Sequence, residues 1–167
     1  MENKLKIVFA GSPKSSSTIL QSLIDNSKVE VPYVISQEPK KAKRGNKLIP
    51  TEVAIAAAEN GIDLLEPRSL NEIKKLITGF DFDFLLVVAY GKILPDWMLN
   101  APVYEPINVH YSVLPKHRGA SPIQSTILAG DTMAGISIMK MTKGLDEGPI
   151  YRKFKIDINE SDKEELE

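Results

Sequence analysis

Apolar and polar positions along this chain switch between two spacings, and each switch marks an element. Leu5–Ala10, LKIVFA, is a continuous apolar run closed by Gly11-Ser12-Pro13, which reads as a buried strand and a turn. Up to about Asp25 the apolar residues Ile19, Leu20, Leu23 and Ile24 fall on one helical stripe, with Ser15, Ser16 and Ser17 as candidate caps. Val29–Ser36 returns as a second strand, and strand, helix, strand at this spacing predicts a parallel βαβ unit. Thr51–Asn60 is alanine-rich and reads as a helix capped by Thr51 and stopped by Gly61. Ile62–Leu65 is a short strand, and Ser69–Thr78 a helix with Leu70, Ile73, Leu76 and Ile77 on one side. Phe84–Ala89, FLLVVA, has no alternation, as expected of a central strand covered on both faces.

The second part of the chain keeps the pattern. Ile107–His110 is a β-branched strand, Ser121–Gly130 a helix with Pro122 in its first turn, and Ala134–Thr142 an alternating strand. Pro149–Ile158 is the last strand, and Ser161-x-x-Glu164 is a capping box. The sum is an α/β class: a Rossmann-like open, mostly parallel sheet with helices on both faces. The glycine after the first strand is not followed by G-x-G-x-x-G, so a dinucleotide site is not supported.

Composition narrows the function. The 167 residues suit one domain, 1–167. A net charge of −1 gives no global attraction to nucleic acid, so any such attraction must be local. Without cysteine there is no disulfide or thiolate chemistry, in keeping with a cytoplasmic protein. Two histidines argue against a protein metal site, and no apolar run has membrane-spanning length. The one strong charge run is Gln37–Pro50, with Lys40, Lys41, Lys43, Arg44 and Lys47 and no acid after Glu38. It is either a solvated loop or a phosphate-binding one, and it follows a strand end, where open α/β sheets place ligands.

The candidate chemistry sits in INVHYSVLPKHRG and GLDEG. Asn108 and His110 are two apart in a strand and so share a side. Asp146 comes later in a Gly-flanked turn. An amide, an imidazole and a carboxylate brought to one crevice can manage an acyl centre. An Asn-x-His in a strand is also common as plain structure.

What surrounds these residues favours the chemistry. AYGKILP, INVHYSVLPKHRGASPIQ and GLDEGPIY together resemble the folate-dependent formyltransferases, and within them the catalytic domain of the methionyl-tRNA formyltransferases, from LKIVFAGSP to about Ile158. The resemblance implies formyl transfer from 10-formyltetrahydrofolate, without a metal, to initiator methionyl-tRNA, by a monomer. It implies catalytic roles for Asn108, His110 and Asp146. Tyr90, Ile93 and Leu94 would contact the folate, as would Ser112, Val113, Leu114 and Pro115. Lys41, Lys43, Arg44 and Lys47 would contact tRNA, through the family's basic R-G-x-K-L-x-P loop.

Some residues depart from the pattern or lie outside it. Val113 stands where the family usually has Leu, and Lys14-Ser15 where an acidic or aromatic pair usually follows G-x-P. His117 reads as an exposed loop residue. The family continues with more catalytic domain and a β-rich domain that contacts tRNA, so an incomplete catalytic domain is expected. Two other readings stay open: a formyltransferase or hydrolase acting on another acceptor, a sugar-nucleotide amine first, and an inactive folate- or RNA-binding fragment.

Overall fold

Strand β1, Leu5–Gly11, forms the spine of the first of two compact units, Met1–Pro106 and Ile107–Glu167. The structure is a computed structural model that describes residues 4–41 and 47–158. Val8, Phe9 and Ala10 are fully buried, so nothing in the run needs to alternate.

Helix α1, Lys14–Ile24, follows directly. The serines do not cap it. Pro13, in extended backbone, holds the N-cap position with no side-chain bond, and the serines lie inside the helix. Fully buried Ser16 instead donates its Oγ to the carbonyl of Val88 at 2.7 Å, and Ser17 bonds back to Lys14 at 2.8 Å. The expected second strand is two pieces, β2, Val29–Glu30, and β3, Tyr33–Ile35. Pro32, which has no N–H to give a ladder, lies between them.

The described parts of the basic segment are paired where a loop is expected. Strands β4, Lys40–Lys41, and β5, Leu48–Ile49, pair antiparallel, Lys40 opposite Ile49 and Lys41 opposite Leu48. Lys43 and Arg44 lie outside the described residues, as does the Ser161–Glu164 capping pattern. Helix α2, Glu52–Glu59, is capped as expected, by Thr51 Oγ1 accepting from Ala54 N at 3.0 Å, and Gly61 follows it at φ +66. Strand β6, Asp63–Leu65, comes next.

Ser69–Thr78 is a 3₁₀ turn, Leu70–Ile73, running into helix α3, Lys74–Thr78. A 3₁₀ turn advances more per residue than an α-helix. The buried face is therefore Leu70, Ile73 and Ile77, while Leu76, expected beside them, is 40% exposed. Strand β7, Phe84–Val88, and the short helix α4, Asp96–Leu99, complete the unit. β7, β1, β3 and β6 lie side by side in that order, all parallel.

Strand β8, Glu105–His110, carries the chain into the second unit. Helix α5, Pro122–Leu128, has proline in its first turn, and Gly130 follows it at φ +63. Strand β9, Met133–Lys140, ends two residues earlier than expected, and β10, Ile150–Asp157, returns beside it. The strands run β8, β9, β10, antiparallel throughout. With the first unit parallel and the second antiparallel, the expected mostly parallel α/β class holds.

Candidate functional site

Strand β8 places the central pair. Asn108 lies opposite Met139 and His110 opposite Ser137 in the ladder with β9. The step of two puts both side chains on one side. His110 is 6% exposed and Asn108 is half-buried.

The imidazole is hydrogen-bonded on one side and faces a carboxylate on the other. Nε2 of His110 stands 3.0 Å from the backbone carbonyl of His117, and Nδ1 stands 3.7 Å from Oδ1 of Asp146. A carbonyl can only accept, so Nε2 carries the hydrogen of that bond. A second proton, on Nδ1, would face the carboxylate. Asp146 is itself fixed: its Oδ2 accepts the N–H of Gly119 at 2.8 Å, and its backbone has φ +50. The GLDEG turn closes tightly on the end of β9, where Lys140 N donates to Pro149 O at 2.9 Å. A Cβ on Gly148 would run into the Lys140 carbonyl, so no other residue fits there without backbone movement.

The loop between β8 and α5 is braced from within. Ser112 donates its Oγ to the carbonyl of Lys116 at 2.7 Å. Ser137 Oγ accepts from Leu114 N at 3.1 Å and donates to the Ser112 carbonyl at 2.7 Å. Ser112 and Leu114 are almost fully buried, Val113 is half-buried and Pro115 is exposed. Of the four, Val113 and Pro115 have surface to offer a ligand, while Ser112 and Leu114 build the loop. His117 is not the exposed residue expected. It is half-buried, with Nε2 2.7 Å from Asp131 Oδ2, while Lys116 Nζ lies 3.1 Å from Oδ1 of the same carboxylate. These two partners hold the Asp131 carboxyl below its usual range, the His117 hydrogen bond contributing most. Arg118 is exposed and stands 3.6 Å from Glu147.

The first unit carries its own candidate surface. Tyr90 is buried, no partner among the described residues meets its hydroxyl, and burial pushes the phenol up to about 12. Its backbone carbonyl accepts from Gln37 Nε2 at 2.6 Å and from Ser12 Oγ at 3.4 Å. Leu94 is buried, but Ile93 is 93% exposed and so is not core. Lys41 and Lys47 are exposed.

A cleft of about 390 Å³, lined by Ser12, Gln37, Lys40, Thr51, Glu52 and Ala89 among others, opens where β1, β3 and β7 end. That is the edge at which such sheets take ligands. Of these, sequence reasoning singled out only Lys40, as part of the basic run. The available signal was position, since Ser12, Gln37 and Ala89 each fall within two residues of a strand end. Among the described residues there is no group of three metal-ligating side chains, and no helix long and apolar enough to cross a membrane.

Comparison with known proteins bears on the family and the fold. A family model described as Formyl transferase matches residues 5–167. The methionyl-tRNA formyltransferase of Mycoplasma capricolum is 41% identical over 162 residues, 97% of this chain and 51% of that protein. That of Finegoldia magna is 46% identical, over 98% of this chain and 53% of that protein. The chain thus spans about half the length of the curated relatives it matches. Among solved structures, the phosphoribosylglycinamide formyltransferase of Anaplasma phagocytophilum superposes with TM-score 0.79 at 22% identity, covering 98% of this chain and 78% of that one. A formyltetrahydrofolate deformylase from Pseudomonas syringae gives 0.77 at 21%, covering 98% of this chain and 55% of that one. At those identities the structures share the fold.

Proposed function

The chain belongs to the formyl transferase family, and from that premise we propose that it moves a formyl group from 10-formyltetrahydrofolate to the α-amino group of initiator methionyl-tRNA. On this reading residues 1–167 are part of the catalytic domain of a monomeric, cytoplasmic enzyme of translation initiation. The observation that carries the reading is the side-by-side placement of Asn108 and His110, with Asp146 behind the ring.

The reaction needs little beyond these three groups. The methionyl amine adds to the formyl carbon, and the carbonyl oxygen gains negative charge as a tetrahedral intermediate forms. Hydrogen-bond donors aimed at that oxygen stabilise the transition state more than the ground state. The Asn108 carboxamide is one such donor, and the other is an Nδ1–H of the His110 ring, because Nε2 is taken by the His117 carbonyl while Nδ1, 3.7 Å from Asp146, is beyond hydrogen-bond reach of it. When the carbon–nitrogen bond to the folate breaks, the amine has lost a proton and the folate nitrogen has gained one. His110 is the group that can carry it. Asp146 holds the ring and balances its charge. Folate contacts are proposed for Ile93 in the first unit, backed by buried Tyr90 and Leu94, and for Val113 and Pro115 in the second, backed by buried Ser112 and Leu114. Lys41, Lys43, Arg44 and Lys47 are proposed to meet tRNA phosphates, the exposed hairpin base of Lys40–Lys41 and Leu48–Ile49 supporting that role.

The test is acceptor choice. Labelled formyl from 10-formyltetrahydrofolate is offered with initiator methionyl-tRNA, with uncharged tRNA, or with a nucleotide-linked amino sugar. Label on the methionyl amine alone is expected. Label on the sugar amine, or formate released at the same rate without an acceptor, would overturn the assignment.

A further inference from the structure

We infer that Asp131 is a positioning residue for His110, acting through His117, whose ring it holds while the His117 carbonyl holds Nε2 of His110. This rests on the proposal that His110 is catalytic. The contacts form a continuous line. Asp131 is set just past the end of α5, where its N–H bonds the carbonyl of Thr126 at 3.2 Å. Its carboxylate meets the His117 ring at 2.7 Å, and the His117 carbonyl lies 3.0 Å from Nε2 of His110.

His117 sits at φ +55, a backbone conformation that costs a non-glycine residue energy and persists only where its surroundings hold it. Here the holding groups are identifiable. Ser112 ties the carbonyl of Lys116 on one side, Asp146 ties the N–H of Gly119 on the other, and Asp131 anchors the ring between them. Without the ring anchor, the strained residue is free to relax and its carbonyl to turn away. Nε2 of His110 would then lose the acceptor that fixes which nitrogen bears the hydrogen. The charged groups around this line are Lys116 and His117 on Asp131, Asp146 on His110, and the Arg118–Glu147 pair.

Lys116 supplies the control, since it shares the carboxylate but does not lie on the line to His110. The experiment follows the ring N–H of His110 by nitrogen–proton correlation spectroscopy in the wild type, Asp131→Ala, His117→Leu, His117→Gln and Lys116→Ala, with formyl transfer measured alongside. His110 Nε2–H should exchange slowly in the wild type and in Lys116→Ala. It should exchange at least about tenfold faster in Asp131→Ala and His117→Leu, with kcat down at least about tenfold and KM within about twofold. His117→Gln, whose carboxamide can still donate to Asp131, should recover most of both signals.

Should Asp131→Ala fail to fold, His117→Leu alone decides. Wild-type exchange in either destabilising variant, or an equal loss in Lys116→Ala, would overturn the inference. If the exchange pattern holds but no protein transfers formyl, the positioning role stands and the functional proposal fails.

Discussion

Asp146 stands 3.7 Å from the imidazole of His110, Oδ1 to Nδ1, and its other oxygen accepts the N–H of Gly119 at 2.8 Å. One carboxylate therefore serves both the ring and the loop that carries the ring's second acceptor, and two substitutions separate the roles. Asp146→Asn keeps an acceptor for Gly119 and removes the charge. Formyl transfer should fall roughly 100-fold or more, while unfolding by urea changes little. Asp146→Ala removes both, and should lower stability by about 1–3 kcal/mol as well, because a part-buried N–H loses its partner.

Gly148 tests the turn that delivers Asp146. A Cβ at 148 overlaps the backbone carbonyl of Lys140, which no flexible side chain can relieve. Gly148→Ala should cost about 1–3 kcal/mol in stability and lower kcat without a matching loss of tRNA affinity. Wild-type stability and kcat together would show that the turn has room the geometry denies.

Tyr90 offers a spectroscopic prediction. Burial pushes its phenol up to about 12, and the hydroxyl has no partner among the described residues. An absorbance titration should show a late tyrosine phase near pH 12, and Tyr90→Phe should remove it. The folded-state value lies above the unfolded one. Its contribution to stability is thus complete below about pH 10 and lost as pH rises through about 12.

Asp131 acts in the opposite sense. Its carboxyl is held below its usual range by His117 first and Lys116 second. The stabilisation is present above the unfolded value of about 4 and is lost as pH falls through the lower folded value. Wild type should exceed Asp131→Asn in urea resistance at pH 5 to 6, and the gap should close as the pH is lowered towards 2. A gap that persists unchanged would mean that the charge is not what stabilises.

For the basic hairpin the observable is salt. Replacing Lys41 or Lys47 by Gln should weaken tRNA binding and lower the slope of log affinity against log salt by about 0.7–0.9 for each phosphate no longer neutralised. An unchanged slope would return these lysines to plain solvation.

The sequence exposed some of these relationships and hid others, for physical reasons. Asn108 and His110 were legible because the two-residue period of a strand is local, and the parallel core was legible because β1 and β7 are unbroken apolar runs. Asp146 was named from its Gly-flanked turn, but nothing in GLDEG alone points at His110, and family resemblance supplied that link. Ser16 looked like a cap because serine before a helical stripe usually is one. Its true partner, Val88, lies 72 residues away. His117 looked exposed because it lies outside the core motif, whereas its ring is tied to Asp131, beyond an intervening helix. Leu76 went astray because the apolar spacing of Ser69–Thr78 announces a helix but not that its first turn is 3₁₀.

Whether this chain transfers formyl through His110 is decided by single-turnover transfer of labelled formyl to initiator methionyl-tRNA. The protein is used as its reading frame encodes it and is compared with its His110→Asn variant. Label on the methionyl amine is expected with the wild type, and transfer slower by roughly 100-fold or more in the variant, with folate still bound. Equal rates in the two proteins, or a wild type that leaves the amine unlabelled, would contradict the formyl-transfer mechanism.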